Sequence, residues 1–458
     1  MKKYILLFAI FSTLNSRAQE FNTDSIQIKA IYNEALLNGE AYENLRFLCK
    51  NIGSRLSGSE NAQKAVDWSY ELMKTHDFDK VWLQEIMVPQ WKRGNVEDCS
   101  IIDINNESID LSITSLGGSV STNGKLEAQV IEVSSLDDLK SRERKEIEGK
   151  IVFINQPMDQ TFIQTMYAYG SCSGIRVWGA IEASKKGAVA VINRSLATNH
   201  DDNPHTGVMI YNDTIKSIPA AAISVVGADI LHNSILENSN TITLEMNCKM
   251  LHDVKSYNVI AEINGTEIPD EIIVVGGHLD SWDIGEGAHD DGAGVVQSLE
   301  VLRLFNELNI KPKRTIRCVF YMNEENGNRG GKGYAKAAIE SGEVNFLALE
   351  SDRGGYTPRG FSVDGTTEQL QAIKKFAPLF EPYLTNLIVK GYGGVDINPL
   401  KPSGTVLIGF IPDTQRYFDL HHSANDVFET VNKRELHLGA AGMASMIYLV
   451  DKYGLPKD

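Results

Sequence analysis

The stretch "EIIVVGGHLDSWDIGEGAHDDGAG", Glu271–Gly294, decides the fold and most of the chemistry. It opens on Ile272-Ile273-Val274-Val275, an apolar run without alternation, which is the pattern of a strand buried on both faces. Behind that run come His278, four Asp and six Gly in nineteen residues, Gly276–Gly294. A packed core has no use for this mixture, whereas a site that gathers carboxylates and imidazole does. The glycines let the loop turn sharply and bring its backbone close to a bound group without Cβ clashes.

Working outward, Gly292 to Asn309 places Val295, Val296, Leu299, Leu302, Phe305 and Leu308 at helical spacing, and Lys311-Pro312 stops that helix. "TIRCVFYM" (Thr315–Met322) predicts the next strand, "RGGKGYAKAAIES" the next helix, and "VNFLALES" (Val344–Ser351) a strand again. "SGTVLIGF" and a helix over Arg434–Tyr453 complete the set. Strands alternating with helices imply parallel crossovers, hence an α/β fold with a doubly wound, mostly parallel sheet. Upstream, residues 25–80 read as mostly helical around a loop at Asn51–Glu60, and 81–120 as short strands. From about Lys125 to Leu251 the strands "KLEAQVIEV", "GKIVFINQP", "GAVAVINRS" and "IPAAAISVV" surround the helix "WGAIEASKKG", a self-contained α+β pattern. The predicted division is a leader at 1–18, a first part of the catalytic domain at 19–124, an inserted α+β domain at 125–251 and the rest of the catalytic domain at 252–458.

The 458 residues are 42% hydrophobic and 23% charged, with a formal net charge of -16. An acidic surface argues against nucleic acid and against anionic membranes as partners. The first residues combine Lys2-Lys3, the apolar run Tyr4–Leu14 and Ser16-Arg17-Ala18. That pattern predicts a cleaved secretory signal and a periplasmic or extracellular protein. No later run is long and apolar enough for a membrane span. Five scattered Cys, an odd number, leave at least one unpaired and any pairing open.

Ligands in open parallel sheets sit just past the carboxyl ends of the strands. Past Val275 come His278, Asp280 and Asp290; past Met322 come Glu324 and Glu325; past Leu349 come Glu350 and Asp352. The late loop "YFDLHHSANDVFE" adds His421, His422 and Asp426. Two zinc ions roughly 3.5–4 Å apart need about five protein ligands, one of them a bridging carboxylate, and a free carboxylate as general base. His278, Asp290, Glu325, Asp352 and His422 supply such a set, with Glu324 as base; the doublet leaves His421 as the alternative to His422.

"GGHLDSWD", "GAHDDGAG", "NEENGNRGG", "ESDRGG" and "FDLHHSAND" resemble the co-catalytic zinc exopeptidases, the family that includes bacterial leucyl aminopeptidases and carboxypeptidase Q. "IGSRLSGS", "YGGVDINPL" and "RYFDLHHS" are most similar to the carboxypeptidase Q branch, and the segment 125–251 resembles a protease-associated domain. The likeness spans nearly the whole chain after the leader. It implies two zinc ions per subunit: His278 and Asp352 on one, Glu325 and His422 on the other, Asp290 bridging, and Glu324 as the catalytic base. It implies that Asp280 fixes the tautomer of His278, that Asp290–Asp291 is a cis bond, that His421 helps polarise the scissile carbonyl, and that Asp426 is structural. It further implies short peptide substrates and a homodimer. The predicted function is a secreted metallo-exopeptidase acting on dipeptides or short peptides. An aminopeptidase is the alternative within this class, and a non-catalytic binding protein on the same scaffold is the alternative outside it. The latter fits poorly with a chain that keeps all five ligands and the base.

Overall fold

A computed structural model describes residues 22–456; the predicted leader at 1–18 lies outside the described residues. The apolar runs form one eight-stranded sheet. Its strands are β1 (Lys80–Val88), β2 (Val254–Ile263), β3 (Ile268–His278), β4 (Arg314–Tyr321), β5 (Val344–Glu350), β6 (Pro358–Asp364), β7 (Leu387–Lys390) and β8 (Val406–Pro412), in the order β1-β2-β4-β3-β5-β8-β6-β7. The centre, β4-β3-β5-β8, is parallel. Both flanks bring in antiparallel neighbours, since β2 runs against β1 and β4, and β6 against β8. The sheet is therefore mixed, with the predicted parallel block at its middle.

Helices packed on this sheet include α1 (Glu60–Thr75), α2 (Ala293–Glu307), α3 (Arg329–Ser341) and α4 (Lys433–Tyr453). Successive side chains of a strand point to opposite faces. Accordingly Ile273 and Val275 of β3 join the core cluster that holds α1, α2 and α4, while Ile272 and Val274 join the cluster that holds Tyr334, Ala335 and Ala338 of α3. Each such side chain, fully buried, contributes about 1.5–3 kcal/mol. Ser59 caps α1 by accepting from Ala62 N, and Asn432 caps α4 by accepting from Arg434 N and Glu435 N. Because α2 returns the chain from β3 to β4 and α3 from β4 to β5, the three strands end on the same rim.

A second eight-stranded sheet covers that rim. Its inner strands include Leu126–Val133, Ile151–Ile154, Ala190–Arg194, Ala220–Ile223 and Thr241–Met246. It also takes in Glu97–Ile102, Ser108–Asp110 and Ile113–Ser115, so it begins well before residue 125. These early strands are short and sit toward the sheet's edges, where half-exposed residues blur the apolar pattern. The two sheets meet through Trp282, which packs with Leu56, Trp91 and Cys248; a Cβ on Gly117 would fall 1.8 Å from its ring. All five cysteines are free and buried.

Candidate metal centre

β3 delivers His278 from its last position, and the loop behind it folds back so that Asp290 returns to the same ring. His278 Nδ1 lies 2.9 Å from the Asp280 carbonyl oxygen and donates to it. This leaves the Nε2 lone pair facing Asp290 Oδ1 at 3.1 Å and Asp352 Oδ1 at 3.5 Å. On the other side of Asp290, Oδ2 faces His422 Nε2 at 3.2 Å, and the same Nε2 stands 3.1 Å from Glu325 Oε2. His422 Nδ1 lies 3.3 Å from the Thr206 carbonyl, which orients its ring in the same manner. Each imidazole thus aims a lone pair at two carboxylates. That arrangement repels itself unless a cation or a proton sits between.

The electrostatics of the bare cluster show the proton in that place. Burial disfavours charge on His278, yet Asp290 and Asp352 hold its pKa well above the usual value. His422 is raised to about 9 by Glu325 and Asp290 against the same burial. Burial would raise Asp290, but the bonds from His278 and His422 hold it well below the usual carboxylate range. Burial, with the Asp290 charge added, lifts Glu325 to about 7. Burial also lifts Glu324 well above the usual range; Asp352, Glu325 and Asp396 add to this and His278 opposes it. Asp290 Oδ2 is buried and faces the His422 and His421 rings at 3.2 and 3.6 Å. Nitrogen and carboxylate donors converging in two groups around one carboxylate fit a pair of zinc ions.

The supporting residues do different work from one another. The carboxylate of Asp280 does not reach His278 Nδ1, from which its Oδ1 stands 3.9 Å away. It accepts instead from Asn323 N at 2.7 Å and Glu324 N at 3.1 Å, fixing the loop that carries Glu324 and Glu325. The tautomer of His278 is thus set by the Asp280 main chain rather than by its side chain. Asp291, joined to Asp290 by a cis bond, accepts from His278 N at 3.1 Å and Gly294 N at 2.9 Å. Gly294 leaves the space this needs, because a Cβ there would lie 1.9 Å from the Ser351 carbonyl oxygen and 2.4 Å from Asp291 Oδ1. Asp426 accepts from His289 N at 2.8 Å and Asp290 N at 3.0 Å. It holds Asp290 from behind.

The His421-His422 doublet turns both rings to the same side. His422 adopts a left-handed backbone (φ 61), and the two rings stack with centroids 3.5 Å apart. His421 Nε2 is 3.6 Å from Asp290 Oδ2, farther than His422. Burial and the neighbouring His422 charge hold the His421 pKa well below its usual value, so this ring is neutral.

Several participants were given no role at the level of sequence. Arg55, fully buried, donates to the carbonyls of Leu279, Glu286 and Gly287 and so pins the loop between His278 and Asp290. His289 lies within the Gly-rich stretch yet turns away from the cluster. It stacks on Tyr356 at 4.1 Å and accepts from Gly355 N. Glu350 accepts from Val395 N and Ile397 N, drawing the "YGGVDINPL" segment to the rim. There Asp396, buried, leaves both carboxylate oxygens without a partner. Arg176 and Tyr169 come from the second sheet's helices, and Arg176 Nη1 stands 3.4 Å from His422 Nδ1.

Comparison with known proteins agrees with this geometry. Residues 258–447, which include His278, Asp290, Glu324, Glu325, Asp352 and His422, match the model of peptidase family M28. Carboxypeptidase Q of Mus musculus is 34% identical over 92% of this chain and 88% of its own length. The crystal structure of a peptidase M28 precursor from Shewanella amazonensis superposes with a TM-score of 0.91 at 32% identity, covering 96% of this chain and 99% of that one. A zinc aminopeptidase from Bacillus subtilis shares the fold at 20% identity, with a TM-score of 0.65 over 92% of this chain and 95% of its own. With its β-sheet rim, its paired His–carboxylate groups and relatives this similar over nearly their whole length, the chain belongs to peptidase family M28.

Proposed function

We propose that the protein is a dizinc metallo-exopeptidase that hydrolyses dipeptides or short peptides. The observation that carries this reading is the double face of Asp290, whose Oδ1 meets His278 and whose Oδ2 meets His422. His278 and Asp352 would hold one ion, Glu325 and His422 the other, with Asp290 shared between them. Bound zinc supplies an activated water near neutral pH and polarises the scissile carbonyl. The chain supplies the rest. Glu324, on a loop held by Asp280, takes a proton from the attacking water and returns it to the leaving amine. Burial, with the neighbouring carboxylates added, raises its affinity for the proton it accepts. Neutral His421, beside His422, is placed to donate toward the carbonyl oxygen as charge develops there.

Carboxypeptidase Q relatives at about one-third identity, and the acidic wall around the cluster, support the exopeptidase assignment. The same reading includes export under the residue 1–18 leader and a protease-associated role for the second sheet. No helix among the described residues is long and apolar enough to cross a membrane. The test is a panel of free dipeptides, with amino-blocked and carboxyl-blocked versions, assayed with and without chelator alongside metal analysis. Chelator-sensitive cleavage of free dipeptides with two zinc ions per chain is expected. Preferential cleavage of carboxyl-blocked substrates would move the assignment to an aminopeptidase. Chelator-insensitive turnover would remove it.

A further inference from the structure

The four residues that flank Asp290 are not braced from the same place. His278 is oriented by the Asp280 carbonyl and by Asp291. Ser351, next to Asp352, donates its N–H to the Gly276 carbonyl at 3.1 Å. This pair is thus fixed by loops and strands of the central sheet. Glu325 and His422 depend on groups that the second sheet holds. Trp282 N donates to Glu325 Oε1 at 3.2 Å, which leaves Oε2 for His422 Nε2 at 3.1 Å. The Trp282 ring meets the His422 ring edge-on, with centroids 5.7 Å apart. Thr206 grips His422 twice: its N–H donates to the His422 carbonyl at 2.9 Å, and its own carbonyl faces Nδ1 at 3.3 Å.

Both grips lead back to one peptide of the second sheet. Asp283, the residue after Trp282, receives a two-pronged bond from buried Arg93, Nε to Oδ2 at 3.0 Å and Nη2 to Oδ1 at 2.5 Å. Paired N–H···O bonds between a guanidinium and a carboxylate fix angle as well as distance. Arg93 Nη1 donates to the Ser115 carbonyl at 2.7 Å, and the same carbonyl accepts from Thr206 Oγ1 at 2.8 Å. Glu97 braces this junction, accepting from Arg93 Nη1 at 3.0 Å and from Ser115 N at 2.6 Å. The last carbonyl of the strand Ile113–Ser115 therefore stands at the root of two arms. One arm runs through Arg93, Asp283 and Trp282 to Glu325. The other runs through Thr206 to His422. Glu325 and His422 are the two residues assigned to a single ion.

We propose that Arg93 and Asp283 are positioning residues for one half of the metal centre: the second sheet sets the affinity of the Glu325–His422 position, and the central sheet alone sets that of the His278–Asp352 position. This rests on the dizinc reading and deepens it. Neither Arg93 nor Asp283 is a ligand. Arg93 aligns Asp283, Asp283 fixes Trp282, and the Trp282 N–H holds one oxygen of Glu325 so that the other faces His422. Outer partners of this kind change metal affinity by about 10- to 100-fold when removed.

The test is zinc affinity, read by competition with a chelator, with Asp283→Ala placed in two single-position backgrounds. His278→Ala leaves the Glu325–His422 position, and Glu325→Ala leaves the His278–Asp352 position. Asp283→Ala should weaken the remaining ion by about 10- to 100-fold in His278→Ala and leave it unchanged in Glu325→Ala. In the otherwise native chain it should weaken one ion of the two. Asp283→Glu, which keeps a carboxylate for Arg93, should restore part of the loss. Equal weakening in both backgrounds overturns the proposal, because a general loosening of the fold does that. No weakening in either overturns it as well. Were Asp283→Ala not to fold, Asp283→Asn is read in the same way. A native protein that does not hold two zinc ions, by elemental analysis, sinks the dizinc reading and this inference with it; two ions that respond alike sink this inference alone.

Discussion

The two walls of the cluster are built in opposite ways. On the sheet side, His278, Glu324, Glu325 and Asp352 each follow a buried strand, and main-chain N–H groups donating to Asp280 and Asp291 lock the segments that carry His278, Glu324 and Glu325. This wall is acidic, and each of its residues follows a strand of the central sheet. On the second-sheet side, Tyr169, Arg176 and Thr206 arrive from far along the chain and meet the cluster through His422. That wall is cationic and carries no carboxylate against its arginine. The contrast teaches that the carboxylates of the cluster and the groups that orient His422 from behind are held by separate parts of the chain.

The strongest way to break the comparison is at the residue both halves of the sheet wall share. Asp290→Ala is expected to abolish detectable peptidase activity and to lower bound zinc below two per chain, by elemental analysis of the purified variant. Retention of full zinc would show that the halves do not depend on their common carboxylate. Next comes Glu324→Gln, expected to lower kcat by about 10²- to 10⁴-fold with zinc content retained. A variant as active as the native protein would take the base role from Glu324. Asp426→Asn removes a charged acceptor behind Asp290. A loss of zinc affinity of about 10- to 100-fold, read by competition with a chelator, is the expected result. Smallest is Tyr169→Phe, which deletes the hydroxyl that accepts from Arg176 Nη2. A several-fold loss of peptidase activity at full zinc content would sharpen the division between the walls, in the range of a single hydrogen bond. A loss of zinc in this variant would blur it.

The sheet wall was legible because each of its residues sits directly past an apolar run, and a strand end in a parallel sheet has a known direction. Ile272–Val275 was enough to place His278, and "VNFLALES" enough to place Asp352. His422 was chosen over His421 by resemblance; its Nε2 is the nearer to Asp290 and stands 3.1 Å from Glu325 Oε2. Asp280 was tied to the right histidine through the wrong atom, because sequence cannot separate a carbonyl from a carboxylate in the same residue. The second wall was not legible. Arg176 lies inside "GIRVWGAIEASK", where an arginine reads as an ordinary exposed helix residue, and only the neighbouring sheet makes it buried. Arg55 lies in the quoted "IGSRLSGS" loop, but its partners, the carbonyls of Leu279, Glu286 and Gly287, are more than two hundred residues away. Residues 97–115 were read as short strands but not as part of the second sheet, because partners such as Thr241–Met246 lie more than a hundred residues away.

One consequence follows from the way Asp290 is held. Its main-chain N–H is gripped by Asp426 while its two oxygens serve opposite partners, so the carboxylate has no freedom to favour one partner without withdrawing from the other. Loading of the centre should therefore proceed as a linked pair of events: the first arrival fixes the geometry that the second encounters, and a titration curve should depart from that of two separate equivalent sites.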